Sequence, residues 1–162
     1  MKFVTWFKFF SLSLLASSVL CGCSNDSSAD EQTQKSDQAL YLRGDMNDYS
    51  VSETYRLRSS EQGWCTEAAL HADWSPYHFK FADAKWSSGS NFGYAFPPGS
   101  LEEGSRDLKL NPNSRFEDVL LRVNRDGVYR FCLLKKDDGY YARVSRLARG
   151  DEKSFDDAMK GR

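Results

Sequence analysis

Val128-Tyr129-Arg130-Phe131-Cys132-Leu133-Leu134, then Lys135-Lys136-Asp137-Asp138-Gly139, then Tyr140-Tyr141-Ala142-Arg143-Val144-Ser145 is the stretch that decides the fold. In its first run Tyr129, Phe131 and Leu133 alternate with Arg130 and Cys132. That is the period of two that turns one strand face to a core and the other to water. Asp138-Gly139 between two such runs marks a hairpin, because glycine supplies the positive φ that a tight antiparallel turn demands. A second Asp-Gly, at 126–127, precedes the stretch. Working outward, the same short runs recur at 40–43, 54–58, 64–70, 77–82, 108–110 and 119–123, so that with 128–134 and 140–145 the pattern predicts eight strands. Turn residues such as Gly44-Asp45-Met46-Asn47-Asp48 and Ser59-Ser60-Glu61-Gln62-Gly63 separate them. No apolar stripe of helical period runs for three turns between residues 39 and 147. The expectation is an all-β chain folded as an antiparallel β-sandwich.

Composition narrows the class. The 162 residues carry 22 Lys and Arg against 23 Asp and Glu, a net charge of −1, with no block of five like charges. That excludes nucleic acid as the main partner, since phosphate binding needs a surplus of cations on one face. Aromatics at 14% supply the means to bury a core. The chain is too short for a (β/α)₈ barrel, which typically needs about 250 residues.

Residues 1–22 have the layout of a secretory leader: Lys2 and Lys8, a serine-diluted apolar run from Phe9 to Leu20, and no acid before Asp26. The run is short for a membrane span. Leu20-Cys21-Gly22-Cys23 resembles the bacterial lipobox, which implies cleavage before Cys23 and acylation of its sulfur. Several acyl chains on one cysteine would anchor the chain stably to a membrane. Ser24 rather than Asp as the second mature residue implies the outer membrane of a bacterial envelope. Residues 23–38 contain almost nothing apolar and read as a disordered tether, 39–147 as the sandwich, and 148–162 as a polar tail with a short helix as one option.

With Cys21 in the leader and Cys23 lipidated, Cys65 and Cys132 remain. In an exported protein the simplest reading is a disulfide, with two free buried thiols as the alternative. The period of two places Cys132 on the face of Arg130 and Cys65 on that of Glu67, so the sulfurs can meet across strands. Closing a loop of about 66 residues would stabilise the fold by roughly 4 kcal/mol.

Catalysis is not expected. There is no Gly-x-Ser-x-Gly, and Glu102-Glu103 and Asp137-Asp138 fall where a solvated turn explains them. His71, Asp73 and His78 do not make a metal site at that spacing, and no cofactor is expected. Trp64, at a strand start, reads as core. Trp86 is different. It lies past the strand at 77–82, beside Ser87-Ser88-Gly89-Ser90, where nothing local calls for a large aromatic. An indole covers the apolar C–H face of a sugar ring at small entropic cost, while fixed donors pair with its hydroxyls. By alternation with Tyr77, Phe79 and Phe81, Lys80 points outward and is a candidate donor.

Three blocks taken in order carry a more specific likeness. They are Leu40-Tyr41-Leu42-Arg43-Gly44-Asp45-Met46-Asn47-Asp48-Tyr49, Tyr77-His78-Phe79-Lys80-Phe81-Ala82-Asp83-Ala84-Lys85-Trp86, and Asn91-Phe92-Gly93. Together they resemble the N-terminal β-sandwich of pullulanases, within the wider group of glycogen- and starch-binding modules. The resemblance spans residues 39–146 and implies an early-set immunoglobulin-like sandwich. It also implies a non-catalytic role binding an α-glucan oligosaccharide or polysaccharide. Trp86 would be the platform and Lys80 a donor; Tyr49 stands where related modules carry a second tryptophan platform, and Asn91 matches a loop asparagine. Two departures stand out: the smaller ring at Tyr49, and a tail where pullulanases continue into a catalytic barrel. The alternative function is an envelope scaffold that docks a protein partner and has no working sugar site.

Overall fold

The alternating runs do become strands. In the computed structural model, which describes residues 38–147, the chain forms ten strands and three 3₁₀ turns, with no α-helix among the described residues. The expected leader, the acylated Cys23, the body of the tether and the tail lie outside the described residues. The strands are β1 (Tyr41–Gly44), β2 (Arg58–Ser60), β3 (Gly63–Leu70), β4 (Tyr77–Ala82), β5 (Asn91–Tyr94), β6 (Ser100–Glu102), β7 (Leu108–Asn111), β8 (Val119–Arg122), β9 (Gly127–Lys136) and β10 (Gly139–Arg146).

They make two layers that share β5. One layer has β4 at its centre, paired antiparallel with β1, β8 and β5, with β6 lying parallel to β8. The other runs β2-β3-β9-β10-β7, and β7 pairs with the far half of β5. Inward residues of both layers interdigitate, as aligned sandwiches require. Phe79 and Phe81 of β4 and Phe131 of β9 are fully buried. The Phe79 and Phe131 rings meet edge to face across the layers at 5.1 Å between centroids. Burying each such side chain stabilises by about 2–3 kcal/mol in transfer terms.

Cys65 and Cys132 are bonded, and they sit directly opposite each other on β3 and β9. Their Cα atoms are 4.2 Å apart, close to the separation of a pair that exchanges no ladder hydrogen bonds. Glu67 faces Arg130 two pairs along, on the same face as the disulfide, as the alternation of the two strands demands.

The strand pattern departs from expectation in three places. The run at 54–58 divides into a 3₁₀ turn, Glu53–Tyr55, and β2. Ser52 Oγ accepts the Thr54 N–H at the start of that turn, so a local cap outcompetes the ladder. The two unforeseen strands, β5 and β6, are short and draw their register from distant partners, not from their own pattern. Trp64, expected in the core, is 42% exposed near the start of β3, although it is paired with Ser59 of β2 and Leu133 of β9.

Candidate functional site

The site begins with two cations. Arg43 of β1 and Lys80 of β4 are directly paired across the strands, on the outer face of their layer. Like charges in that position repel, and long cations usually reach for water. Here they are 8% and 2% exposed, because two loops close over them.

The loop at 112–118 covers Lys80. Its Nζ donates to Ser114 Oγ at 3.0 Å and to the Arg115 carbonyl at 2.9 Å, and pairs with Asp118 Oδ1 at 3.2 Å. An ammonium has three protons, and all three are engaged. Glu117 holds the loop in shape by accepting from Ser114 Oγ and from the Arg115 and Phe116 N–H groups. These bonds, Ser114 first, hold its carboxyl down to about 2. Tyr94 N–H donates to the Glu117 carbonyl and so staples the loop to β5. Gly93 makes that approach feasible, since a Cβ there would collide with the Glu117 carbonyl and Ser114 Oγ.

The loop at 83–90 covers Arg43 and carries Trp86. Asp83, almost wholly buried, accepts the Lys85 and Ser87 N–H groups on one carboxylate oxygen. Burial alone would raise its pKa, but hydrogen bonds from Ser87 and Lys85 outweigh that and leave it lowered. Asn113 fixes the far side by accepting from Ser88 Oγ and the Gly89 N–H. Between these anchors Trp86 takes a left-handed backbone at φ 59°. A bulky residue adopts that region at a cost of order 1–3 kcal/mol, so the surroundings must over-determine it.

That conformation lays the indole over the Arg43 guanidinium, 3.6 Å from carbon to ring centroid. Arg43 is held flat by donating from Nε to the Tyr49 carbonyl and from Nη1 to the Asp83 carbonyl. Burial draws its pKa down, and the Asp83 charge opposes the shift. One face of Trp86 is therefore backed by a cation, a contact of about 0.5–2 kcal/mol, and the side chain remains 38% exposed.

Tyr49 completes the arrangement. The turn after β1 is shaped by Asn47, which accepts the Gly44 N–H and donates to the Leu42 carbonyl. Gly44 is required because a Cβ would strike the His78 carbonyl of β4. Asp48 and Tyr49 then follow in left-handed conformation. The Tyr49 hydroxyl donates to Asp118 Oδ2 at 2.7 Å, so one carboxylate ties both Tyr49 and Lys80. Burial, reinforced by Asp118, pushes the phenol pKa up, so the hydroxyl stays protonated at neutral pH. The Tyr49 and Trp86 rings lie 6.4 Å apart at an interplanar angle of 42°.

Of the four residues expected at a sugar site, the fold brings Trp86 and Tyr49 together as a tilted aromatic pair. Lys80 lies on the predicted face but beneath the pair, with its donors spent on Ser114, Arg115 and Asp118. Asn91 is also covered. It starts β5, is 7% exposed, donates its N–H to the Pro112 carbonyl and accepts the Ser114 N–H on its own carbonyl. Arg43, Asp83, Ser114, Glu117 and Asp118 were not foreseen. The alternation of β1 already places Arg43 outward, and an Asp closing a strand is a known holder of nearby N–H groups. The part played by 114–118 has no local signal.

His71 and His78, weighed above as metal ligands, face different carboxylates: Nδ1 to Asp126 at 3.2 Å and to Asp45 at 3.0 Å respectively. Among the described residues no group of three His, Cys, Asp or Glu side chains is gathered for a metal.

No family model and no curated protein matches the chain. A solved structure described as "Ligand induced structure of AmyP-SBD" is similar, with a TM-score of 0.49 and 18% sequence identity over 85% of this chain and 99% of that one.

Proposed function

We propose that the chain is a non-catalytic α-glucan-binding module, held at a bacterial envelope by acylation of Cys23 and facing its ligand with Trp86 and Tyr49. The single observation that carries this reading is the partly exposed indole, braced from behind by Arg43 and tilted 42° against Tyr49. Two rings at such an angle form a bent ledge. An α-1,4-glucan curves and offers successive sugar faces at an angle, whereas a β-1,4-glucan is a flat ribbon and suits coplanar rings. The brace matters because a ring held before the ligand arrives loses little freedom on binding. Specificity by hydrogen bonding falls to groups around the ledge other than Lys80 and Asn91, which are covered.

Isothermal titration with maltoheptaose tests it. The expected result is heat of binding with the native chain, an affinity at least about tenfold weaker in Trp86→Ala, the loss of one well-placed stacking contact, and no heat with cellohexaose. Equal affinity in the Trp86→Ala variant removes the ledge as the site. No heat with maltoheptaose at all leaves the envelope scaffold as the better reading. Palmitate labelling of the full chain, with Cys23→Ser as the control, tests the anchor separately.

A further inference from the structure

The most exposed large apolar side chain among the described residues is Phe116, at 88%. Nothing in the core uses it. Yet its loop is firmly pinned. The Phe116 N–H is bonded to Glu117, the preceding carbonyl accepts from Lys80, and the following carbonyl accepts from Tyr94. Two residues on, Asp118 bonds the Tyr49 hydroxyl, and the Asp118 N–H bonds the Phe116 carbonyl. Phe116 thus lies within about 7 Å of Asp118 along the backbone, next to the residue that orients the second ring of the ledge. A mobile loop can carry an exposed phenyl ring by accident of sequence. Here the bonds fix the backbone that carries the ring, and the ring itself stands in water.

We propose that Phe116 is a third stacking ring, which lengthens the ledge beyond Tyr49 and makes the site select longer α-glucan chains over short ones. The proposal rests on the reading of Trp86 and Tyr49 as a glucan site. Its physical content is a division of labour. Trp86 and Tyr49, 6.4 Å apart, serve any chain long enough to cover both, and Phe116 adds affinity only for chains that run on past Tyr49.

The test compares maltotriose and maltoheptaose by isothermal titration against the native chain, Phe116→Ala and Phe116→Trp. Phe116→Ala is expected to weaken maltoheptaose binding about three- to tenfold, the range for one aromatic contact, and to leave maltotriose affinity unchanged. Phe116→Trp is expected to bind maltoheptaose at least as tightly as the native chain. Thermal unfolding of both variants should match the native chain, because the ring is in water. If native and Phe116→Ala proteins bind maltoheptaose alike, the third ring is overturned while the glucan site stands. Equal weakening for both sugars also overturns it, since Phe116 would then act through Tyr49 rather than on a distal sugar. If the native chain binds neither sugar, the glucan reading itself has failed and the third ring falls with it. Phospholipid vesicles provide the last arm: binding to them that depends on Phe116, with maltoheptaose affinity unaffected, assigns the ring to a lipid surface and overturns the proposal.

Discussion

Each layer carries one directly opposed pair of charged residues on its outer face, of opposite sign on one layer and of like sign on the other, and the two pairs meet opposite fates. On β3 and β9, Glu67 and Arg130 face each other across the disulfide-bearing pair of strands and stay at the surface, 2.9 Å apart and well exposed. On β1 and β4, Arg43 and Lys80 face each other in the same manner and are buried. Both are charged pairs at outward positions of adjacent strands. The difference is what crosses above them. The β3–β9 face borders a groove of about 720 Å³ lined by Arg58, Glu67, Ala69 and Arg130 among others. The β1–β4 face is closed by the loops at 83–90 and 112–118, which bring Asp83, Ser114 and Asp118 to neutralise and hydrogen-bond the cations. An outward charge is thus solvated on one face and a structural foundation on the other. The loops that make it so also carry the exposed rings.

The comparison predicts unequal costs. Lys80→Ala, which leaves Asp118, Ser114 and the Arg115 carbonyl without their common donor, is expected to destabilise by about 3 kcal/mol, the lower end for a broken buried pair. Urea unfolding measures it. A loss below about 1 kcal/mol would show that the covered face is no different from the open one. Removing the disulfide of the open face in a Cys65→Ala, Cys132→Ala double variant is expected to cost about 2–4 kcal/mol, from freeing a long loop in the unfolded chain. Because that effect acts chiefly on the unfolded state, maltoheptaose affinity should not change. A change would mean that the two faces are coupled.

Acid sharpens the contrast further. Glu117 is held down to about 2 from an unfolded value near 4.5. Its contribution to stability is therefore complete above pH 4.5 and disappears as pH falls through about 2. The gap in melting temperature between the native chain and Glu117→Gln should be constant at neutral pH and close progressively below pH 4.5. A gap that does not change with pH would remove the carboxylate from the account of the loop. Smallest of all, Arg130→Ala on the open face is expected to cost no more than about 0.5–1 kcal/mol, because an exposed pair is screened by water and salt. A loss comparable to that of Lys80→Ala would break the distinction between the faces.

Much of the fold could be read without coordinates. The alternation in 77–82 and 128–134 gives β4 and β9 nearly to their ends, and Asp138-Gly139 marks the hairpin between β9 and β10. The same alternation put Cys65 with Glu67 and Cys132 with Arg130, and the fold sets those residues opposite one another in that order. β5 and β6 were illegible because residues 91–94 and 100–102 owe their extended form to β4, β7 and β8. At the site, Trp86 was legible as an aromatic stranded in a loop and Tyr49 only through the family resemblance, and their meeting at 6.4 Å was not legible. Lys80 was legible as outward and illegible as buried, since its cover comes from residues 34 and 35 positions away.

What the chain alone determined is therefore periodic and local: which residues alternate, where glycine and aspartate turn the backbone, which cysteines share a face, and which aromatic has no local reason to be where it is. What only the tertiary structure decided is coverage. Whether an outward cation meets water or a carboxylate depends on loops remote in sequence, and on two glycines, 44 and 93, whose missing Cβ atoms let backbones approach. Alternation is set by the geometry of one strand, but burial is set by everything that packs against it, and no single strand encodes that.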